Sequence, residues 1–429
     1  MMTTTALNLL DELYLNLDRE REPWTVHYEL ELRQRLDPER LVDAIRAAAA
    51  RHPLARARLA SWRFQDRDYF WEIADELEHV PLCVVVCENG AMLESAREQL
   101  FGASPSLLTA PPFAIVLARG VTGDALMMNL HHAAGDGISA ARLMLSIIRA
   151  YAGLDDPIPP VDPLAVRDVR VLAAARTGQE SCARLAVLST GAWRRLVPPA
   201  RVARDGGDNR PAYGFERFCL SVEESRTLFE RRPQRTTVND LLLGGLAVAI
   251  GRWNLEHGLR GRPIALSMPV NLRPPEWREE VVSNFAAWTT VWVSPRPGED
   301  LGAVVSSVGA STRAIKRGRL GGVAVDLLRV PGKLIIAAKR WLQYVKVWVG
   351  NAAVDTASLS NLGNFNSLPP EFGHAAVWFS PPGQMPLGVS IGAVTVNGRL
   401  HVALRYRHPQ FDPAGARRFI ELYRNVLVS

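Results

Sequence analysis

"NLHHAAGDGISAARLM", Asn129–Met144, places two adjacent histidines, an aspartate four residues after the second and then a glycine between an apolar strand-like run and an apolar helix-like run. If "ALMMNLHH" is a strand, successive side chains leave on opposite faces, so His131 and His132 cannot both address one substrate. The same divergence argues against a metal, because no third ligand stands nearby at a usable spacing. "GISAA", Gly137–Ala141, half resembles a nucleophile elbow, but it opens a helix and lacks the second glycine that so sharp a turn requires. What is left is a histidine at a strand end, followed by a tight loop. An imidazole, with an ordinary pKa of about 6.5, is the side chain best suited to take a proton from a hydroxyl or amine near neutral pH. The competing reading makes Asp136 the cap of a helix that starts at Gly137 and the histidines satisfied polar groups.

Working outward, "WTVHYELEL" from Trp24 alternates as a strand, and "LDPERLVDAIRAAAARHPLARARL" reads as a helix opened by Asp37 and Pro38 and closed before Pro53. "YFWEI" and "VPLCVVVC" are strand-like, "MLESAREQL" is helical, and "FAIVLARG" and "ALMMNLHH" are two strands joined by a turn at "VTGD". A helix runs from Gly137 to about Tyr151. From Pro157 to about Ala212 the texture changes to a proline-rich connector, a helical stretch ending in "AWRRL" and the loop-like "VPPARVARDGGDNRPA". The second half resumes with strand "ERFCLSV", helix "VEESRTLFERR", the threonine-capped helix "TTVNDLLLGGLAVAIGRWNLEHG", strands "PIALSMPVNL" and "AAWTTVWV", and a helix over Leu301–Arg317. Two strands around the tight turn Asn397-Gly398 and a last helix from Pro413 to Leu427 close it. The expected fold is α/β, with two similar lobes, each a mixed sheet flanked by helices: residues 1–156, a linker over 157–212, and residues 213–429.

The composition narrows the class. With 429 residues, 48% of them hydrophobic, the chain can build two packed cores. The opening "MMTTTALNLLDELYLNLDRE" lacks a basic region before an apolar one, and Asp11 and Glu12 interrupt it, so a secretory signal is not expected. The longest apolar run, "LLLGGLAVAI" from Leu241, is too short to span a bilayer. A soluble, cytoplasmic protein is the expectation. The four cysteines, Cys83, Cys87, Cys182 and Cys219, match no zinc or redox spacing and read as reduced and mostly buried. A net charge of +6 suits anionic partners: nucleotide phosphates, an acidic carrier protein or a lipid surface. No basic stripe is interleaved with aromatics, so nucleic acid is not an expected partner.

"HHAAGDG" resembles the HHxxxDG signature of the superfamily that contains chloramphenicol acetyltransferase, nonribosomal peptide condensation domains, polyketide-associated acyltransferases and bacterial wax ester synthase/diacylglycerol acyltransferases. The likeness extends to the "LDPERLVDAIRAAAARHPLARARL" helix, "TTVNDLLL", "MPVNLRP", "SNF" at Ser283–Phe285 and "SLSNLGNF" at Ser358–Phe365. It implies a chloramphenicol-acetyltransferase-like fold with an active-site channel between the lobes. His132 would be the general base that takes the acceptor's proton as it attacks a thioester carbonyl, with no acyl-enzyme. Asp136 would pair with Arg273 to fix the loop, Gly137 would line the channel, and His131 would be structural. Ser360 and Asn361 are candidates to hold the oxyanion or position substrate; the competing reading is a loop that orders the crossover between the lobes. Asn239 and Asp240 are equally readable as capping residues. Because "SNLG" departs from the "DFGWG" of the plant branch and from the wax ester synthase counterpart, donor and acceptor specificity do not transfer.

The resemblance thus implies an acyltransferase of lipid or secondary-metabolite biosynthesis, O-acyl transfer being favoured over N-acyl transfer. It needs no metal and no resident cofactor; an acyl-CoA, favoured because the chain stands alone, or an acyl carrier protein thioester is co-substrate, with an alcohol or amine as acceptor. Two rivals stand beside it: a condensation-type enzyme joining carrier-bound substrates, and a non-catalytic docking member of the fold. Finally, "KLIIAAKRWLQYVKVWV", Lys333–Val349, puts Lys333, Lys339, Arg340, Gln343 and Lys346 on one helical arc and Leu334, Trp341, Leu342, Val345 and Trp348 on the other. Such a stripe is either the buried side of a core helix or a face for a lipid surface or a long acyl chain, which would make the protein membrane-peripheral.

Overall fold

Alternation and capping produce the elements that hold the motif. In this computed structural model the described residues are 2–429 apart from 110, 158–160, 260, 278–279, 350–353 and 366–367; the side chains of 192, 275 and 343–349 also lie outside the description. A five-stranded sheet runs in the order β12 (Ala376–Ser380), β2 (Thr25–Glu31), β7 (Asp124–His131), β6 (Phe113–Arg119), β5 (Leu82–Val86). A six-stranded sheet runs β10 (Ala286–Val293), β9 (Ile264–Asn271), β11 (Ala357–Asn364), β13 (Val389–Val396), β14 (Arg399–Arg407), β8 (Tyr213–Cys219). A small third sheet joins β1 (Thr3–Ala6), β4 (Phe70–Ile73) and β3 (Ala57–Leu59). Both large sheets mix parallel and antiparallel pairs, as the β5–β6 and β11–β13 pairs are parallel and the β6–β7 and β13–β14 pairs antiparallel.

Helices cover these sheets: α1 (Leu9–Leu17), α2 (Pro38–Arg51), α3 (Gly90–Phe101), α4 (Gly137–Tyr151), α5 (Val169–Leu172), α6 (Gly178–Arg194), α7 (Val222–Glu230), α8 (Val238–Glu256), α9 (Leu301–Arg317), α10 (Gly322–Leu328), α11 (Ile336–Val349) and α12 (Pro413–Val428). Their starts follow from side chains that accept the orphan N–H groups of the first turn. Asp37 caps α2 ahead of Pro38, and Thr237 with Asp240 forms a capping box on α8. Asp240 has a second use, accepting from the Thr312 hydroxyl at 2.6 Å and so tying α8 to α9. The β13–β14 turn places Asn397 and Gly398 at φ of 50° and 75°, the left-handed pair that a two-residue hairpin of this hand requires.

Four features differ from the sequence expectation. The C-terminal half is not a self-contained lobe over 213–429, because β12 leaves it to pair antiparallel with β2 and to bury Val377 and Phe379 in the N-terminal core. Where β13 passes β12, a Cβ on Gly392 would sit 1.9 Å from the Phe379 carbonyl oxygen, so only glycine allows the approach. The stretch containing Ser360 and Asn361 is not a loop but strand β11, in parallel register with Gly392 and Ala393. The 157–212 linker does more than connect: Arg167 reaches into the core of the molecule, and α5 packs on α1. The cysteines are free, but Cys83, on edge strand β5, and Cys182, on α6, are exposed rather than buried. No helix among the described residues is long and apolar enough to cross a membrane.

Candidate active site

The end of β7 meets the β9–β10 connection and α1 at the seam between the two large sheets. Here the two histidines part company. His131 Nδ1 accepts from the Ala133 N–H at 3.1 Å, so its proton sits on Nε2, which lies 3.6 Å from Asp18 Oδ2. His132 is held the other way round. Asn284 Nδ2 donates to the carbonyls of His132 (2.7 Å) and Ala133 (2.9 Å) and to Asp11 Oδ1 (3.0 Å), which turns the amide oxygen towards the ring. That Oδ1 lies 3.3 Å from His132 Nδ1, so Nδ1 carries the proton and Nε2 the lone pair.

Burial lowers the His132 pKa to about 4, a pull that the nearby Asp136 carboxylate and Asn284 reduce without cancelling. The imidazole is therefore neutral at pH 7 and able to accept a proton at Nε2. Its ring is covered by Tyr14 of α1, with ring centroids 3.9 Å apart and planes inclined by 36°. The Tyr14 hydroxyl, whose pKa burial raises, donates to the Ala286 carbonyl at 2.8 Å. Only 8% of His132 is exposed, and where a channel between the lobes is expected the seam is closed over the ring by Tyr14. A cavity of about 460 Å³ lies instead at the far end of the C-terminal sheet, between Val248, Leu255 and Ile264, remote from the histidines.

Asp136 and Arg273 form the scaffold. Arg273, just past β9, donates from Nη1 and Nη2 to both oxygens of Asp136, at 2.7 and 2.9 Å. Nη2 also donates to Ser139 Oγ and the Ser283 carbonyl, both at 2.8 Å, while the guanidinium lies 4.5 Å from the centroid of the Phe285 ring. Asp136 accepts in addition from the N–H groups of Ser139 and Phe285, each at 3.0 Å. Burial alone would push this carboxyl up; Arg273 and the two N–H groups outweigh it and hold the pKa below the usual carboxylate range. Asp136 is thus both the cap of α4 and one half of a buried ion pair between the lobes, so the two readings of this aspartate are compatible. Gly137 follows directly. A Cβ there would meet the Phe379 ring at 2.8 Å and Leu362 at 3.0 Å, so the glycine lets β12 and β11 close on the start of α4.

The remaining candidates stand apart. Ser360 is buried on β11, and the Asn361 side chain accepts from the Gly363 N–H at 2.9 Å; among the described residues neither hydrogen-bonds to His132. Tyr14 and Asn284, which touch the ring, and Asp11 and Arg167, which stand behind Asn284, carry no assigned role in the sequence reading. Arg167 donates to Asp11 Oδ2 and, through Nε at 2.9 Å, to Ser283 Oγ, so the linker props the residue that props Asn284. Burial raises the Asp11 pKa against the pull of that arginine. The usable signals were Asn284 inside "SNF" and two acidic residues interrupting the apolar periodicity of "LLDELYLNL".

Comparison with known proteins places this architecture. The chain is 34% identical over 439 residues, covering all of both sequences, to the uncharacterized protein Rv2305 of Mycobacterium tuberculosis. It belongs to the same family as Rv2305. No family model matches it. It is also 27% identical over 252 residues, 55% of this chain and 5% of the other, to a component of the linear gramicidin synthase of Brevibacillus parabrevis. Among solved structures, the first condensation domain of the calcium-dependent antibiotic synthetase matches with a TM-score of 0.71 at 16% identity, over 99% of this chain and 96% of that one. The starter condensation domain of rhizomide synthetase, a mutant in complex with C8-CoA and Leu-SNAC, matches with a TM-score of 0.68 at 13% identity, over 99% and 94%. The chain has the two-lobed fold of condensation domains.

Proposed function

We propose that this protein is an acyltransferase that moves an acyl group from a thioester, acyl-CoA first, to a hydroxyl or amine by direct attack. The observation that carries this is the ring of His132, held at a lobe seam with Nδ1–H on Asn284 and its basic nitrogen unprotonated at neutral pH. The acceptor's O–H or N–H gives its proton to Nε2 while the heteroatom bonds to the thioester carbonyl carbon. The tetrahedral oxyanion then collapses, the C–S bond breaks, and the thiolate takes the proton back from the imidazolium. General-base assistance of this kind contributes about 10²–10⁴-fold, the rest coming from holding the two substrates together. Asp136 and Arg273 keep the loop in place without touching substrate, His131 and Gly137 shape it, and Ser360 and Asn361 are the groups to test for the oxyanion. Substrate needs Tyr14 to withdraw from the ring.

A second reading has a specific support: the similarity to linear gramicidin synthase and the shared fold of condensation domains favour carrier-bound substrates and ester or amide formation between them. Thiol release from a panel of acyl-CoAs and carrier-bound acyl groups, with mixed alcohols and amines, separates the two. Activity with acyl-CoA and an alcohol, lost in His132→Ala, supports the first; activity with carrier-bound donors alone supports the second. Turnover undiminished in His132→Ala removes the assigned base, and no turnover with any pair favours a docking module.

A further inference from the structure

Residues 327–341 expose five large apolar side chains: Leu327, Val330, Leu334, Ile335 and Trp341 are 53, 73, 38, 43 and 64% exposed. The amphipathic arcs expected from the sequence are therefore not kept. Lys339, expected on the polar side, is buried, its ammonium donating to Glu12 Oε2 at 2.7 Å and to the Arg67 carbonyl at 2.6 Å, whereas Trp341, expected on the apolar side, faces solvent. Gln343, Val345, Lys346 and Trp348 have side chains outside the described residues.

A second segment is locked beside the first. The N–H groups that open α11, those of Ile336 and Ala337, donate to the Asp66 and Phe64 carbonyls at 2.7 and 3.1 Å, which brings the 67%-exposed Phe64 alongside Ile335. Across the 63–68 and 326–341 segments the exposed charges are Arg63, Arg67, Lys333 and Arg340 against Asp68, with Arg329 in an ion pair with Asp326 at 3.8 Å. Exposed large apolar groups including a tryptophan, interleaved along the chain with cations, on segments where no helix among the described residues is long and apolar enough to cross a membrane, have the chemistry of an interfacial contact.

We propose that this face docks on an anionic phospholipid bilayer. Its apolar side chains enter the headgroup boundary while Arg63, Arg67, Lys333 and Arg340 meet lipid phosphates, each cation adding to the attraction and all of them losing strength with salt. The face is tied to the candidate site by the Lys339–Glu12 pair, since Glu12 belongs to the same helix as Tyr14. A bilayer is favoured over an acidic protein because the exposed side chains of these segments include six large apolar groups, Phe64 among them, beside the cations, more apolar surface than a contact made by charge alone requires.

The test is sedimentation of the full chain with vesicles of phosphatidylcholine alone or mixed with phosphatidylglycerol. Expected is at least tenfold tighter binding to the mixed vesicles, weakened by salt, and reduced at least tenfold both by Lys333→Glu with Arg340→Glu and by Ile335→Ser with Trp341→Ser, each variant melting as the wild type does. No preference for anionic vesicles, or binding that survives both double variants, overturns the proposal. So does a concentration-dependent dimer in size-exclusion chromatography that Trp341→Ser abolishes while vesicles bind nothing, because the face then belongs to a second copy.

Discussion

Asp136 and His132 are four residues apart and are built on opposite principles. Asp136 is over-determined: two N–H groups and two arginine nitrogens fill both of its oxygens, and Arg273 is itself pinned by Ser139 and the Ser283 carbonyl. The His132 ring is held by a longer hydrogen bond at 3.3 Å, its own main-chain carbonyl and the face of Tyr14. The difference teaches that the loop's rigidity resides in the ion pair, while among the described residues no hydrogen bond engages His132 Nε2, as the proposed base requires. A base clamped on both nitrogens could not turn over; a loop carried by a 3.3 Å contact could not aim it.

The comparison breaks most severely at the ion pair. Arg273→Ala strands a buried carboxylate and is expected to cost about 3–5 kcal/mol, read as a large fall in Tm or loss of soluble protein; an unchanged melt would refute the scaffold role. Acid attacks the other side. Burial depresses His132, His401 and His408 to about 4, His52 to about 3, and His27 well below 6.5. The unfolded chain therefore binds more protons than the folded one between these values and 6.5. Their contribution to stability is complete above pH 6.5 and is lost as the pH falls towards 4. Melts from pH 7.5 down to 4.5 are expected to show Tm flat at first and then declining; a Tm that rises on acidification contradicts this.

Asn284→Ala should separate the two devices. It removes the side-chain acceptor from His132 Nδ1, leaving only the ring's own main-chain carbonyl to hold that proton, and leaves the His132 and Ala133 carbonyls and Asp11 short of a donor, at about 1–3 kcal/mol, while lowering the transfer rate by more than the lost stability explains. Urea unfolding beside turnover at saturating substrate reads both. Tyr14→Phe is the mildest change: the ring stays over His132 and only the bond to the Ala286 carbonyl goes, so about 1 kcal/mol of stability and little rate should be lost.

How much of this was legible in the sequence depends on how local the cause is. The Asp37-Pro38 helix start and the Asn397-Gly398 turn are encoded within a few residues and could be placed to within one or two positions. Strand β11 was not, because Ser358, Ser360 and Asn361 interrupt its apolar pattern, and what makes it a strand is its place between β9 and β13. Helix α1 was missed for a related reason. Asp11 and Glu12 spoil its apolar face, and the cations that make their burial tolerable, Arg167 and Lys339, lie 156 and 327 residues away. The same distance hid Tyr14 and Asp11 from the site, whereas the histidines, Asp136 and Arg273 stand in short motifs.

The measurement that bears most directly on the central claim is kcat/KM against pH for thiol release in the wild type and in His132→Ala. A buried imidazole acting as base predicts an acid limb well below 6.5, towards 4, and a variant slowed about 10²–10⁴-fold in which that limb is gone. A variant with the wild-type rate and the same limb would show that the proton goes elsewhere.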